Sequence, residues 1–88
     1  MQKRSLVVEN ELGLHARVAG RIVRELKNFS SKIVVQKNDQ MFDLKNVTGV
    51  ITVNAKHGDV LDLEISGEDE EKAAVAIEQL FANKFGER

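Results

Sequence analysis

The chain has 88 residues, contains no cysteine and carries a formal net charge of −1 at pH 7. The lack of cysteine excludes a disulfide framework, a thiolate nucleophile and a cysteine-ligated metal site, and the balanced charge gives no reason to expect nucleic acid as a partner. We expect one domain over residues 1–88, because a chain of this length supports one modest core. It has neither the apolar run of a signal peptide nor the ~20 apolar residues of a membrane span, so we expect a cytoplasmic protein without membrane insertion.

The N-terminal part of the chain predicts a strand, a loop and an amphipathic helix. Leu6 and Val8 alternate with the residues around them, which is typical of a strand, and a loop then ends at Gly13. After that loop the apolar residues recur at helical spacing and predict a helix that begins at Ala16. The predicted buried stripe of this helix consists of Ala16, Ala19, Ile22, Val23 and Leu26.

The rest of the chain predicts a hairpin, an ambiguous segment, a strand and a helix. The hairpin turn falls at residues 37–40, where Asn38 and Asp39 tolerate left-handed geometry. Residues 46–58 (NVTGVITVNAKHG) have helical spacing, but their β-branched content makes local propensity predict a strand. Residues 59–66 alternate cleanly, and residues 67–86 predict a helix with an acidic first turn and Gly86 at its end. The predicted core face of that helix consists of Ala73, Ala74, Ile77, Leu80 and Phe81.

The predicted strands each have one apolar and one more polar face. Helices should therefore cover only one side of an antiparallel sheet. This pattern predicts the α+β class, as an open-faced β-sandwich.

His15 is the strongest candidate for chemistry, although serine, threonine, aspartate or asparagine would cap a helix better. The first turn of a helix has unpaired N–H groups and a partial positive charge, which together bind anions. Arg17 adds a fork of donors suited to phosphate. The same field disfavours an imidazolium, which leaves neutral imidazole as a nucleophile near pH 7. The pattern predicts phosphoryl transfer through a phosphohistidine; the alternative is a surface histidine that only caps the helix.

Three arginines share one face of the same predicted helix. Arg17, Arg21 and Arg24 follow one another at spacings of four and three. They predict either a solvated face, with Arg21 paired to Glu25, or a docking patch for an acidic partner. Gly20 costs about 1 kcal/mol of helix propensity relative to alanine, which suggests that another surface approaches the helix there.

Three segments together resemble a known family. They are GLHAR at residues 13–17, LKNVTGV at residues 44–50 and SGEDE at residues 66–70. At this spacing the chain resembles HPr, the histidine-containing phosphocarrier of the bacterial phosphoenolpyruvate:sugar phosphotransferase system, over essentially its whole length. The resemblance implies a four-stranded antiparallel sheet with three helices on one face, and a short helix rather than a strand at NVTGVI. It places the family's phosphorylated histidine at His15, on Nδ1, and the arginine that steadies the phosphoryl group at Arg17.

The resemblance also implies partners and a docking surface. Phosphorylated enzyme I would pass its phosphoryl group to His15, which would pass it to a histidine of an enzyme IIA-type acceptor. The chain would then be a monomeric, stoichiometric carrier in sugar transport rather than an independent enzyme. The implied docking surface is the exposed side of the first helix and of the short second helix. Its residues here are Leu12, Ala16, Gly20, Arg21, Arg24, Val47, Thr48 and Ile51.

Two positions depart from the family pattern. Val18 stands where the family often has a proline that presets the first helical turn. Asn46 stands where many members have a regulatory serine; asparagine caps a helix well but has no hydroxyl to phosphorylate. The second departure keeps open a regulatory paralogue, of a nitrogen-type or other branch, that acts mainly through protein contacts.

Other classes of function receive less support from the residues. A non-catalytic interaction module could use the same arginine face. An RNA-binding sheet needs aromatic side chains on its open face, whereas Phe42 alternates as a core residue would. No second acid, base or metal set accompanies His15, so we expect no independent hydrolase, no metal and no cofactor. We expect His57 to be an exposed loop residue.

Overall fold

The computed structural model describes residues 1–87, which form one four-stranded sheet and three α-helices. All strand pairs are antiparallel, in the order β1-β4-β2-β3. The predicted α+β open-faced sandwich is confirmed, with the four strands and three helices that the HPr resemblance implied. The elements are β1 (Gln2–Val7), α1 (Ala16–Leu26), β2 (Lys32–Lys37), β3 (Gln40–Asp43), α2 (Val47–Val53), β4 (Val60–Ser66), α3 (Glu70–Ala82) and a 3₁₀ turn at Lys84–Gly86.

The two faces of the sheet have different environments. On the interior strand β4, Leu61, Leu63 and Ile65 are buried, whereas Val60 and Asp62, which alternate with them, are exposed. This is the alternation that a sheet shows when one face packs on a core and the other meets solvent. The buried face belongs to the same apolar cluster as the inner faces of all three helices. Those helix residues are Val18, Ala19, Ile22, Val23, Leu26, Val50, Val53, Ala73, Ala74, Ile77, Leu80 and Phe81.

The hairpin has the turn that its residues predict. Asn38 and Asp39 adopt φ values of 51° and 65°, and they join β2 to β3 as a two-residue loop. Positive φ at both central residues matches the right-handed twist of the flanking strands. Phe42 on β3 packs against the core rather than lying on the open face, so it cannot serve as a base-stacking platform there.

The strand that local propensity predicted after residue 46 is wrong, and the short helix implied by the resemblance is correct. Asn46 is the N-cap of α2, and its side-chain oxygen accepts the N–H of Gly49 at 3.2 Å. Val50 and Val53 lie on one side of the helix and are buried in the core. Burial of that side outweighs the weak preference of β-branched residues for strands.

Two details of the helix predictions also need correction. Ala16 is exposed and not part of the buried stripe of α1, because it is the first helical residue and the apolar face begins at Val18. The final helix ends at Ala82 rather than at Gly86. Gly86 belongs instead to the 3₁₀ turn that follows.

The turn after α3 brings the chain back towards the start of α1. Lys84, Phe85 and Gly86 have consecutive φ values of 54°, 55° and 77°. Phe85 is only 1% exposed, and its ring meets that of Phe81 edge-on with centroids 4.9 Å apart. The N–H of Glu87 donates to the carbonyl of Lys84 at 2.9 Å. The buried aromatic ring thus anchors a left-handed turn that carries Glu87 to the N-terminus of α1.

None of the helices formed by residues 1–87 is both long enough and apolar enough to cross a membrane.

Candidate functional site

His15 occupies the N-cap position of α1 without capping it. Its backbone is extended (φ −83°, ψ 177°), and its carbonyl accepts the N–H of Ala19 at 2.8 Å. Its imidazole makes no hydrogen bond to the helix terminus, and the first turn of α1 contains no acidic residue. The positive end of the helix is therefore left for an anion that comes from elsewhere.

The loop before His15 is held in place by its neighbours. Asn10 is fully buried, and its side-chain amide donates to the carbonyl of Gly13 at 2.8 Å. The N–H of Leu14 donates to the carbonyl of Ala55 at 3.0 Å. Gly13 has φ +69°, and a Cβ at this position would lie 2.5 Å from the Ala55 carbonyl oxygen. Only glycine combines this backbone conformation with this close approach. Together these contacts hold the loop in one place and so fix the position of His15.

Glu87 joins His15 to Arg17. One of its carboxylate oxygens lies 2.7 Å from His15 Nε2, and the other accepts the Nε–H of Arg17 at 2.8 Å. The hydrogen bond from His15, with a smaller contribution from Arg17, holds the pKa of the Glu87 carboxyl below its usual range, although partial burial acts in the opposite direction. An ionised carboxylate can only accept hydrogen bonds, so Nε2 carries a hydrogen. In the neutral imidazole this leaves the free lone pair on Nδ1.

Most of the Arg17 donors have no partner among residues 1–87. Its side chain is 77% exposed, and Nε is its only atom with a hydrogen-bond partner among residues 1–87. The two terminal nitrogens of the guanidinium therefore remain for an anion. Planar guanidinium groups bind phosphate oxygens through such paired donors.

The remaining arginines of α1 line an open groove beside the C-terminal turn. The residues that line this groove include Leu12, Arg21, Arg24, Gly86 and Glu87. The guanidinium of Arg21 lies over Gly86, since a Cβ there would come within 2.7 Å of Arg21 Nη1. The alternative pairing of Arg21 with Glu25 does not occur: within residues 1–87 neither Arg21 nor Arg24 forms an ion pair.

The predicted docking residues are accessible. Leu12, Val47 and Ile51 are 71%, 40% and 44% exposed. Gly20 is half-buried, and a Cβ on it would meet nothing within 4 Å, so no contact inside the described chain requires glycine there. The other predicted docking residues, Ala16, Arg21, Arg24 and Thr48, are also exposed.

Comparison with known proteins identifies the family. A family model described as "PTS HPr component phosphorylation site" matches residues 2–83. The chain belongs to the HPr family of the phosphotransferase system. The phosphocarrier protein HPr of Treponema pallidum is 39% identical over 87 residues, which are 99% of each chain. That of Xylella fastidiosa (strain 9a5c) is 36% identical over 87 residues, 99% of this chain and 98% of that one.

The fold comparison agrees with the sequence comparison. The crystal structure of HPr-C-His from Thermoanaerobacter tengcongensis matches with a TM-score of 0.93 and 35% identity, covering 100% of this chain and 99% of that one. The resemblance seen in three short segments is thus confirmed over nearly the whole chain. This HPr-family protein is a phosphocarrier of the phosphotransferase system, working with other proteins of that system, and not an independent enzyme.

The sequence singles out His15 and Arg17 as candidate site residues but gives no indication of Glu87, which the structure brings into contact with both. Glu87 lies 72 positions from His15 along the chain, and it reaches the site only through the left-handed turn after α3. No local pattern around residue 87 indicates that contact. His57 is exposed in a loop, as predicted. The described residues contain no cluster of three or more metal-ligating side chains.

Proposed function

We propose that His15 is the residue on which this HPr-family protein carries the phosphoryl group, and that Nδ1 is the accepting atom. The observation that carries the proposal is the contact between His15 Nε2 and the ionised Glu87 carboxylate at 2.7 Å. That contact leaves the lone pair of the neutral ring on Nδ1, as required of a nucleophile.

The proposed step is an exchange of bonds at phosphorus. The Nδ1 lone pair forms a bond to phosphorus while the bond between phosphorus and the donor's leaving atom breaks, and that atom keeps the bonding pair. The hydrogen on Nε2 stays in place. Phosphoryl transfer is catalysed mainly by positioning and by neutralising the charge on the phosphoryl oxygens. Here the free terminal nitrogens of Arg17 and the uncapped N-terminus of α1 supply that neutralisation.

We propose phosphorylated enzyme I as the donor and an enzyme IIA-type histidine as the acceptor, as the family resemblance implies, with the protein acting as a monomer in the cytoplasm. The docking surface combines exposed apolar side chains at Leu12, Val47 and Ile51 with two cations, Arg21 and Arg24, that form no ion pair within residues 1–87. Such a surface suits a partner with an apolar centre and an acidic rim, because charge complementarity accelerates encounter and fixes orientation.

Phosphorylation of the purified protein tests this proposal. The protein is incubated with phosphoenolpyruvate and enzyme I, and intact mass is measured before and after treatment with acid or alkali. We expect one phosphate that is labile in acid and stable in alkali, absent from His15→Ala and retained by the matched control His57→Ala. Label that survives acid, or that persists in His15→Ala, would refute the assignment.

A further inference from the structure

We propose that Glu87 is a positioning residue that orients both His15 and Arg17 for phosphoryl transfer. This inference rests on the proposed role of His15. Its basis is one carboxylate whose two oxygens contact the two residues separately, at 2.7 Å from His15 Nε2 and 2.8 Å from Arg17 Nε.

Each contact uses the atom that the reaction does not need. Glu87 takes the Nε2 side of the imidazole and leaves Nδ1 free, and it takes Nε of Arg17 and leaves the two terminal nitrogens free. Arg17 is 77% exposed, so without this contact its long side chain would sample many rotamers. A group that holds both partners before the donor arrives reduces the ordering that the encounter must achieve.

The charge of Glu87 also matches the charge that the ring acquires. When Nδ1 gives its electron pair to phosphorus, the ring becomes more positive, and Nε2–H shares that positive charge. The carboxylate at 2.7 Å stabilises this form of the ring. A carboxylate that fixes the tautomer of a histidine and stabilises its cationic form is a known arrangement in enzymes that use histidine as a base.

The backbone that carries Glu87 is built to hold it there. Lys84 and Phe85 are non-glycine residues with φ near +55°, a conformation that L-residues adopt only when their surroundings impose it. Burial of the Phe85 ring, which is 1% exposed, imposes it here. Glu87 is therefore the end of an anchored turn and not a flexible surface acid that happens to meet a histidine.

The variants Glu87→Gln and Glu87→Asp test the inference. Glutamine keeps the length but can offer its NH₂ to Nε2, which would move the ring hydrogen to Nδ1. Aspartate keeps the charge but is one methylene shorter, so it cannot hold both partners in their present places. The matched control is Glu78→Gln, because Glu78 accepts the Nε–H of Arg4 at 2.6 Å in a similar ion pair, formed between α3 and β1.

Two measurements are made on each variant. The first is the ¹⁵N NMR spectrum of the labelled, unphosphorylated His15 imidazole at a pH where the ring is neutral, which reports the tautomer. The second is the rate of phosphoryl transfer from enzyme I. We expect the wild type and Glu78→Gln to be predominantly Nε2–H, and Glu87→Gln to shift towards Nδ1–H. We expect phosphoryl transfer to Glu87→Gln to be roughly tenfold slower than transfer to the wild type. Loss of a carboxylate that accepts a hydrogen bond from a metal-bound histidine lowers metal affinity or activity about 10- to 100-fold, and our expectation is the lower end of that range. Glu87→Asp should lie between them.

The outcomes separate this inference from the proposed function. An unchanged tautomer in Glu87→Gln, or a shifted tautomer with unchanged transfer, would overturn the positioning role. Faster transfer would also overturn it, because it would show that Glu87 competes with the phosphoryl group for Arg17. A wild-type protein that is phosphorylated elsewhere than on His15 would refute the proposed function, whereas the tautomer result does not depend on phosphorylation.

Discussion

Replacing Phe85 by alanine should destabilise the whole protein although the residue is the fourth from the end of the chain. Chain ends usually fray and tolerate change. Phe85 differs because it is 1% exposed and packs edge-on against Phe81 on α3. Removing its ring would leave a cavity between the C-terminal turn and the core, and would release the turn that carries Glu87.

The magnitude follows from two opposing effects. Replacement of a buried phenylalanine by alanine typically costs roughly 3–5 kcal/mol. Opening of the turn would recover part of this, because Lys84 and Phe85 would leave left-handed conformations that cost about 1–2 kcal/mol each. If opening of the turn recovers about half of that conformational cost, roughly 1–2 kcal/mol in total, we expect the free energy of unfolding to fall by about 2–3 kcal/mol. For a domain of this size that corresponds to a decrease in Tm of roughly 8–24 °C.

Urea unfolding of Phe85→Ala and Phe85→Gly measures this effect and tests the turn. If the turn persists, glycine should be the more stable of the two variants by about 1 kcal/mol, because it adopts a φ of +55° without strain. If the turn opens in both, that advantage disappears. A loss below about 0.5 kcal/mol in Phe85→Ala, the range of ordinary surface substitutions, would refute the packing described for this turn and with it the placement of Glu87.

Three further predictions concern the site and the pH dependence of stability. Arg17→Ala should slow phosphoryl transfer roughly tenfold or more, as expected from loss of a charge-assisted hydrogen bond. It should change the free energy of unfolding by less than about 0.5 kcal/mol, because the Arg17 side chain is 77% exposed. Unchanged transfer together with a strongly lowered Tm would show that the role of Arg17 is structural. The hydrogen bond from the Ser31 hydroxyl, with those from backbone N–H groups, lowers the pKa of Asp69 from 3.8 to about 2. The stabilising contribution of the ionised Asp69 carboxylate is therefore complete above pH about 4 and is lost as the pH falls towards about 2. Asp69→Asn should therefore be less stable than the wild type in urea at neutral pH and should lose less stability on acidification; parallel acid sensitivity in the two proteins would contradict this. Incubation with ATP and an HPr serine kinase should leave the protein a full-strength phosphoryl acceptor, because Asn46 has no hydroxyl. The variant Asn46→Asp should weaken enzyme I docking and leave the fold intact. Mass spectrometry that finds a stoichiometric phosphate on Thr48 or any serine, with slower transfer to His15, would contradict this prediction.

The elements whose apolar residues follow a single period could be predicted from the sequence. The alternation along β4 and the helical spacing along α1 and α3 predict which side of each element faces the core. That side is buried in the structure. The turn at Asn38 and Asp39 could also be predicted locally, because asparagine and aspartate tolerate the positive φ that both residues adopt. The placing of His15 and Arg17 together at the start of α1 could be predicted for the same reason, because the two residues lie two positions apart and a helix terminus supplies the field for both.

Local sequence patterns decided neither α2, which only the resemblance to HPr implied, nor the position of Glu87; both depend on the tertiary structure. Residues 47–53 are locally ambiguous, and they form a helix because the core buries Val50 and Val53 on one side. Glu87 meets His15 from 72 positions away, through a left-handed turn that its own residues disfavour. This turn forms because the ring of Phe85 is buried in the core. That burial exists only once the rest of the chain has packed.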